Sequence, residues 1–287
     1  AEPRLREALR LARAALGDRD PETLTAIMSY ARLLQEQGRL SEAEALFHED
    51  LQARREVFGA RHPATLLSLG HYATVLQLQG RLDEAAPLCV EVLDARREAL
   101  GEHHAGTLLA MSNYGRLLQE QGKLDAAAPL LRQVLEVRRT RLGNSHAATM
   151  ASIANLGGLL REQGKLDEAS VLFLEDLNAT RENLGPRHPD TLIAIGNMCD
   201  LLREKGDDLA EAAATLGDAP QVARDELGPE HLDTLLLEAK AARLQTAQGD
   251  SAGVAQLRAV VVRIETKMGT EHPQARKYRA VLNELGE

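Results

Sequence analysis

Nine histidines are the residues of this 287-residue chain whose type first invites chemistry. Six of them, His62, His104, His146, His188, His231 and His272, follow one another at steps of 42, 42, 42, 43 and 41 residues. Imidazoles that share one zinc ion each sit about 2 Å from it. Equivalent positions in stacked helical units lie about 10 Å apart. The column is therefore expected to shape loops and not to hold metal, with His103 beside His104 as the one adjacent pair. Cys89 and Cys199 occupy different places in the repeat and fall among apolar residues, so both read as small core side chains and imply a reducing compartment. No phosphate-loop spacing is present, and nothing singles out a nucleophile with its base. The expectation is no enzyme, no catalytic residue and no cofactor.

Asn113, Asn155 and Asn197 form a second column at the same step of 42. A carboxamide both donates and accepts, so it can pair with any peptide unit whatever that unit's side chain. An extended chain advances about 3.3 Å per residue, so units about 10 Å apart would meet every third residue of it. The same amides would equally serve as bonds to an adjacent helix.

The elements that must position these columns follow from the repeat. Gly59, Gly101, Gly143 and Gly185 are each 42 residues apart, and so are Thr65, Thr107, Thr149 and Thr191. Repetition at this scale means units that bury their apolar faces only against their neighbours. Each unit holds two helical patterns. From Ala105 to Gln121, Leu108, Ala110, Met111, Tyr114, Leu117 and Leu118 make one broad apolar face. Gly122 ends that helix. A second begins near Asp125 with Ala127, Leu131, Val134, Leu135 and Leu142 inward, and ends before Gly143. Pro21, Pro63, Pro189 and Pro273 stand at first helical positions, where proline removes no hydrogen bond. Pro87 and Pro129 are read as lying where backbone N–H groups are still unpaired. Arg54-Arg55, Arg96-Arg97 and Arg138-Arg139 recur near the end of the second helix and read as solvated cations favoured by the helix dipole.

The units run over about 20–59, 62–101, 104–143, 146–185, 188–228 and 231–269. A partial repeat over 1–19 precedes them, with its helix at 2–16. A capping helix within 270–287 closes the array, with Arg276, Lys277, Arg279 and Glu284 to solvate the open end. All of 1–287 is thus read as one domain, which begins in mid-repeat and without methionine, as a fragment of a longer protein would. One unit is irregular. Asp207 and Asp208 add a residue, and Gly217-Asp218-Ala219-Pro220 should interrupt the second helix. Drift near the end of the array and a hinge or bulge used in binding both fit.

Composition narrows the class further. With 34 Lys+Arg against 43 Asp+Glu the net charge is −9, and there is no tryptophan. A nucleic-acid partner, which needs a basic stripe and stacking aromatics, is not expected. No segment has the length of apolar sequence that membrane insertion requires. No leader is visible in AEPRLREALR. A cytoplasmic protein is expected.

The sentence L-G-x-x-H-P-x-T-L is followed by a helix containing asparagine and then by Q-G-[KR]-L-x-E-A. It is carried by Leu184-Gly185, His188-Pro189, Thr191-Leu192, Gln163-Gly164-Lys165 and Glu168-Ala169. It resembles the 42-residue tetratricopeptide repeats of kinesin light chain and nephrocystin-3-type proteins over nearly the whole chain, least after 206. HEAT or armadillo units have a similar length, but the G-[KR]-L-x-E-A turn favours the tetratricopeptide reading. Ala43, Ala85, Ala127, Ala169 and Ala212 supply its small residue at the helix crossing.

The resemblance implies an all-α fold, a right-handed superhelical solenoid of antiparallel helix pairs. In it the first helices line a concave groove that receives a peptide or helical segment of a partner protein, and asparagines hold that segment's backbone. Helix geometry names the stripe opposite the apolar face. It runs Thr25, Ser29, Arg32, Glu36; then Leu67, His71, Thr74, Leu78; then Leu109, Asn113, Arg116, Glu120. It continues with Ala151, Asn155, Gly158, Glu162; then Ile193, Asn197, Asp200, Glu204; then Leu236, Lys240, Arg243, Ala247. Asn113, Asn155, Asn197, Arg116, Arg32, His71, Lys240 and Arg243 are the candidate peptide contacts. The mixed charge of the stripe leaves the partner's charge open. The alternative function is a rigid structural or assembly subunit bound through its outer face or its ends. The sequence does not set the oligomeric state.

Overall fold

The computed structural model describes residues 2–206, 209–270 and 272–285. They are all-α, with fifteen helices and no strand among the described residues. These are α1 (Glu2–Leu16), α2 (Pro21–Glu36), α3 (Leu40–Phe58), α4 (Pro63–Leu78), α5 (Leu82–Leu100), α6 (Ala105–Glu120), α7 (Leu124–Leu142) and α8 (Ala147–Glu162). Then follow α9 (Leu166–Leu184), α10 (Pro189–Lys205), α11 (Leu209–Leu216), α12 (Ala219–Leu227), α13 (Leu232–Ala247), α14 (Ala252–Met268) and α15 (Pro273–Glu284). The chain divides into two compact units, one holding α1–α6 and the other α7–α14 with most of α15.

The histidine column starts helices. Nδ1 of His62, His104, His146, His188 and His231 accepts the backbone N–H two residues on, at 3.0–3.3 Å. An Asp20 carboxylate does the same for α2 at 2.8 Å. The first N–H groups of a helix have no partner within it, so each ring fills that need. The threonine three residues on is buried, and at Thr65, Thr107, Thr191 and Thr234 its hydroxyl ties the helix start to the preceding helix or its glycine stop. Thr107 Oγ1 donates to the carbonyls of Arg96 and Gly101, and Thr234 Oγ1 to those of Ala223 and Gly228. Gly122 and Gly143 take positive φ of 73° and 80° at the two stops, a region that side chains disfavour.

Within the first unit each helix packs on the next, from α1 through α6. In the second unit α7 to α10 do likewise, and the first helices α8, α10 and α13 also touch in series to form a wall. Ala43, Ala85, Ala127, Ala169 and Ala212 are fully buried at the crossings. The second helices are tied across one repeat by Arg13–Glu49 and Arg55–Glu91 in the first unit and Arg139–Glu175 in the second. At the far end Ala275, Tyr278 and Leu282 of α15 cover a core of Leu235, Leu257, Val261 and Ile264.

Three readings of the sequence change, and the expected interruption of the irregular repeat is present. Leu142 lies at the end of its helix and is 47% exposed, outside the core. Pro87 and Pro129 are the sixth residues of α5 and α7, past the four free N–H groups, yet both helices run through them. The paired arginines are not simply solvated. Arg54 is buried against Asp50, with Nε 2.9 Å from both carboxylate oxygens. Arg96 donates to the Gly106 carbonyl, and Arg138 to the Ala148 carbonyl and Ser152. In the irregular repeat the second helix splits into α11 and α12 at Gly217-Asp218, with Pro220 in the first turn of α12. Asp207 and Asp208 lie outside the described residues.

Candidate functional site

The stripe sits on the face of the first helices that the apolar contacts leave open. Asn113 and Arg116 on α6 are exposed, as are Arg32 on α2 and Asn155 on α8; Asn197 on α10 is half-buried. None of the three asparagine side chains forms a hydrogen bond within the described residues. Each lines a cavity of its own unit. Asn113 faces Gly70, Thr74 and Cys89, while Asn155 faces Met150, Asp176 and Ile193. Asn197 faces Arg161, Lys240 and Tyr278. The amides thus point donors and acceptors into open space.

His71 and Arg32 share the first unit's stripe. The His71 ring stacks on Phe47, with centroids 5.5 Å apart and planes at 8°. Burial, with the Arg32 cation adding to it, lowers its pKa, so the ring is held neutral. The cysteines are buried free thiols, pushed up to about 11 by burial.

The second unit gathers more charge than the sequence suggested. Asp200, read as an open groove residue, is only 3% exposed. Lys240 Nζ lies 3.0 Å from its carboxylate, Arg161 3.6 Å and Arg243 3.9 Å. Burial alone would raise this acid, but Lys240 and Arg161 outweigh it and hold it at about 2. Lys240 and Arg243 are therefore partnered and do not stand free, and Lys240 and Asp200 line a cavity of about 220 Å³. The structure brings Asn197, Lys240 and Arg243 together around Asp200. It pairs Asn113 with Arg116 on one helix and Arg32 with His71, and it leaves Asn155 beside an acid that the stripe does not contain.

That acid is Asp176 of α9. It is 5% exposed, lines the cavity under Asn155, and has no hydrogen-bond or ion-pair partner among the described residues. Burial pushes its carboxyl up to about 7, and the nearby Asp190 and Glu175 charges add to the rise. A reading of first helices alone missed it, because it projects from a second helix. Among the described residues no group of three or more His, Cys, Asp or Glu could hold a metal ion. No described helix is long and apolar enough to cross a membrane.

Two family models, both described as "Tetratricopeptide repeat", match the chain, one over residues 24–88 and 64–140 and the other over 149–190. The chain belongs to the tetratricopeptide repeat family. Among solved structures this tetratricopeptide chain resembles a Podosopora anserina protein of kinesin light chain type with nearly identical TPR-like repeats. The TM-score is 0.62 at 22% identity, over 71% of this chain and 96% of that one. BtubC (BKLC) from P. vanneervenii gives a TM-score of 0.62 at 23% identity, over 78% of this chain and 88% of that one. A Rap protein complexed with Competence and Sporulation Factor gives 0.59 at 12%, over 98% and 85%. At these identities the likeness is one of fold. Among curated proteins no sequence matches the chain.

Proposed function

We propose that this tetratricopeptide array is a protein-interaction scaffold that holds an extended segment of a partner along the stripe of its first helices. The observation that carries the reading is the asparagine column. Three amides recur at one repeat position, reach solvent, and have no hydrogen-bond partner among the described residues. A buried amide of structural purpose would be hydrogen-bonded. An amide left open at a fixed step is suited to the backbone of an added chain, with selectivity left to the cavities beside it. Arg32, Arg116 and His71 are the remaining contacts on this reading. Lys240 and Arg243 act through the Asp200 cluster near Asn197. The Rap protein, whose fold is similar, was solved with Competence and Sporulation Factor, which supports a binding role for an array of this kind.

A second reading has its own observation. Val171 and Leu174 on α9 are strongly exposed on a second helix, and an assembly subunit would use such a surface. Crosslinking of the purified array to a captured partner separates the two. Crosslinks from positions such as Ser29, Gly158 and Ala247 are expected on the groove reading. Crosslinks confined to α9 and the other second helices would overturn it.

A further inference from the structure

Repeat by repeat, the second helix carries Arg54, Arg96 and Arg138 at one position and Thr180 at the next. The three arginines fill the same seat. Arg54 lies against Asp50, whose carboxylate also accepts from Ser68. Arg96 donates to the Gly106 carbonyl at 2.8 Å, and Arg138 to the Ala148 carbonyl at 3.1 Å and to Ser152 at 2.7 Å. Arg96 and Arg138 thus bridge the second helix to the first helix that follows it, whereas Arg54 pairs within its own helix and Asp50 makes that bridge through Ser68.

In the next repeat the side chain is cut back to a threonine, and the seat opens as a cavity of about 260 Å³. Its wall carries Asp176, which occupies the repeat position of Asp50, together with Asp190, Thr180 and Asn155, and no cation. Asp190 replaces the small residues Ala64, Gly106 and Ala148. Relative to the repeat of Arg54 and Asp50, this repeat has lost the arginine, kept its acid and gained Asp190, while the two repeats between carry Val92 and Val134 at the acid's position. An unpaired buried carboxylate costs stability, and the repeat of Arg54 and Asp50 shows the remedy. Ile193 and Asn155, both on the first-helix stripe, stand at the mouth.

We propose that this seat receives the guanidinium of an arginine from the partner segment, which completes with Asp176 the pair that Arg54 makes with Asp50. The inference rests on the groove reading for the partner's backbone and adds the side chain that it must present. An arginine is favoured over a lysine because a planar fork can bridge a carboxylate and a neighbouring acceptor at once. Of the charged groups near the pair, Glu175 is held by Arg139, and Asp190 lies 3.8 Å from His188. Neither contact fills the seat.

The test uses the full chain, isotope-labelled, titrated with acetyl-arginine methylamide and with its neutral isostere acetyl-citrulline methylamide. Saturable amide shifts at Thr180, Asn155 and Ile193 are expected for the arginine compound. The citrulline compound should bind about tenfold more weakly. Asp176→Asn should weaken the arginine response by a similar factor, and Thr180→Arg, which refills the seat from within, should abolish it. No saturation, equal response to citrulline, or an undiminished response in Asp176→Asn overturns the proposal. The groove reading fails separately. If a mapped partner loses affinity in the asparagine variants but not in Thr180→Arg, the seat falls and the groove stands. If the arginine compound binds as expected while the partner maps to the second helices, the groove falls and the seat stands.

Discussion

Arg54 and Thr180 hold the same place in their repeats and leave opposite conditions for the carboxylate beside them. Asp50 has its cation; Asp176 does not. Removing the cation from the first pair should reproduce the condition of the second inside a fully buried site. Arg54→Ala is expected to destabilise the chain by about 3–5 kcal/mol in urea unfolding; a loss under about 1 kcal/mol would contradict the buried-pair account. For Asp176 the sign runs the other way. Its folded pKa of about 7 lies above the unfolded value near 3.9. The folded state therefore binds the extra proton, and its contribution is complete below pH about 4 and lost as pH rises through 7. Asp176→Asn should match the parent at pH 4 and exceed it by about 2–4 kcal/mol at pH 8. Thermal melts at the two pH values would show it, and parallel curves would refute it.

At the scale of the helix, the repeat made most of the architecture legible. Glycine stops, proline starts and the spacing of Leu108, Met111 and Leu118 set the helix bounds within a residue or two. The purpose of the histidines was less legible, because imidazole is not a common cap and its bond to the N–H two residues on appears only when the loop is built. His104→Ala should cost about 1 kcal/mol, whereas His104→Asp should be tolerated. Adjacent glycines on α8 offer a sharper contrast. A Cβ at Gly157 would sit 2.7 Å from the buried Phe173 ring, while one at Gly158 meets nothing within 4 Å. Gly157→Ala should destabilise by about 1–3 kcal/mol, and Gly158→Ala should stabilise by up to about 1 kcal/mol. Denaturant midpoints of the two variants falling on the same side of the parent would contradict this packing.

For the molecule as a whole, the stripe was readable from helix geometry, but what its members do to one another was not. Asp200, Lys240 and Arg243 were visible as residues of first helices. Their convergence with Arg161 depends on how α8, α10 and α13 touch, which periodicity does not encode. The vacated arginine seat had a signal, since reading the repeat column by column shows Thr180 where Arg54, Arg96 and Arg138 stand. Only the structure shows that Arg96 and Arg138 bond the following helix and Arg54 a buried carboxylate, and not water. The central claim is that the open amides of the first helices hold a partner's backbone. Calorimetric affinity for a mapped partner peptide, measured on the parent and on the combined Asn113→Ala, Asn155→Ala, Asn197→Ala variant, tests it most directly. With helicity unchanged, three lost hydrogen bonds of about 1 kcal/mol each predict a loss on the order of 100-fold. Equal affinity in the two proteins would contradict it.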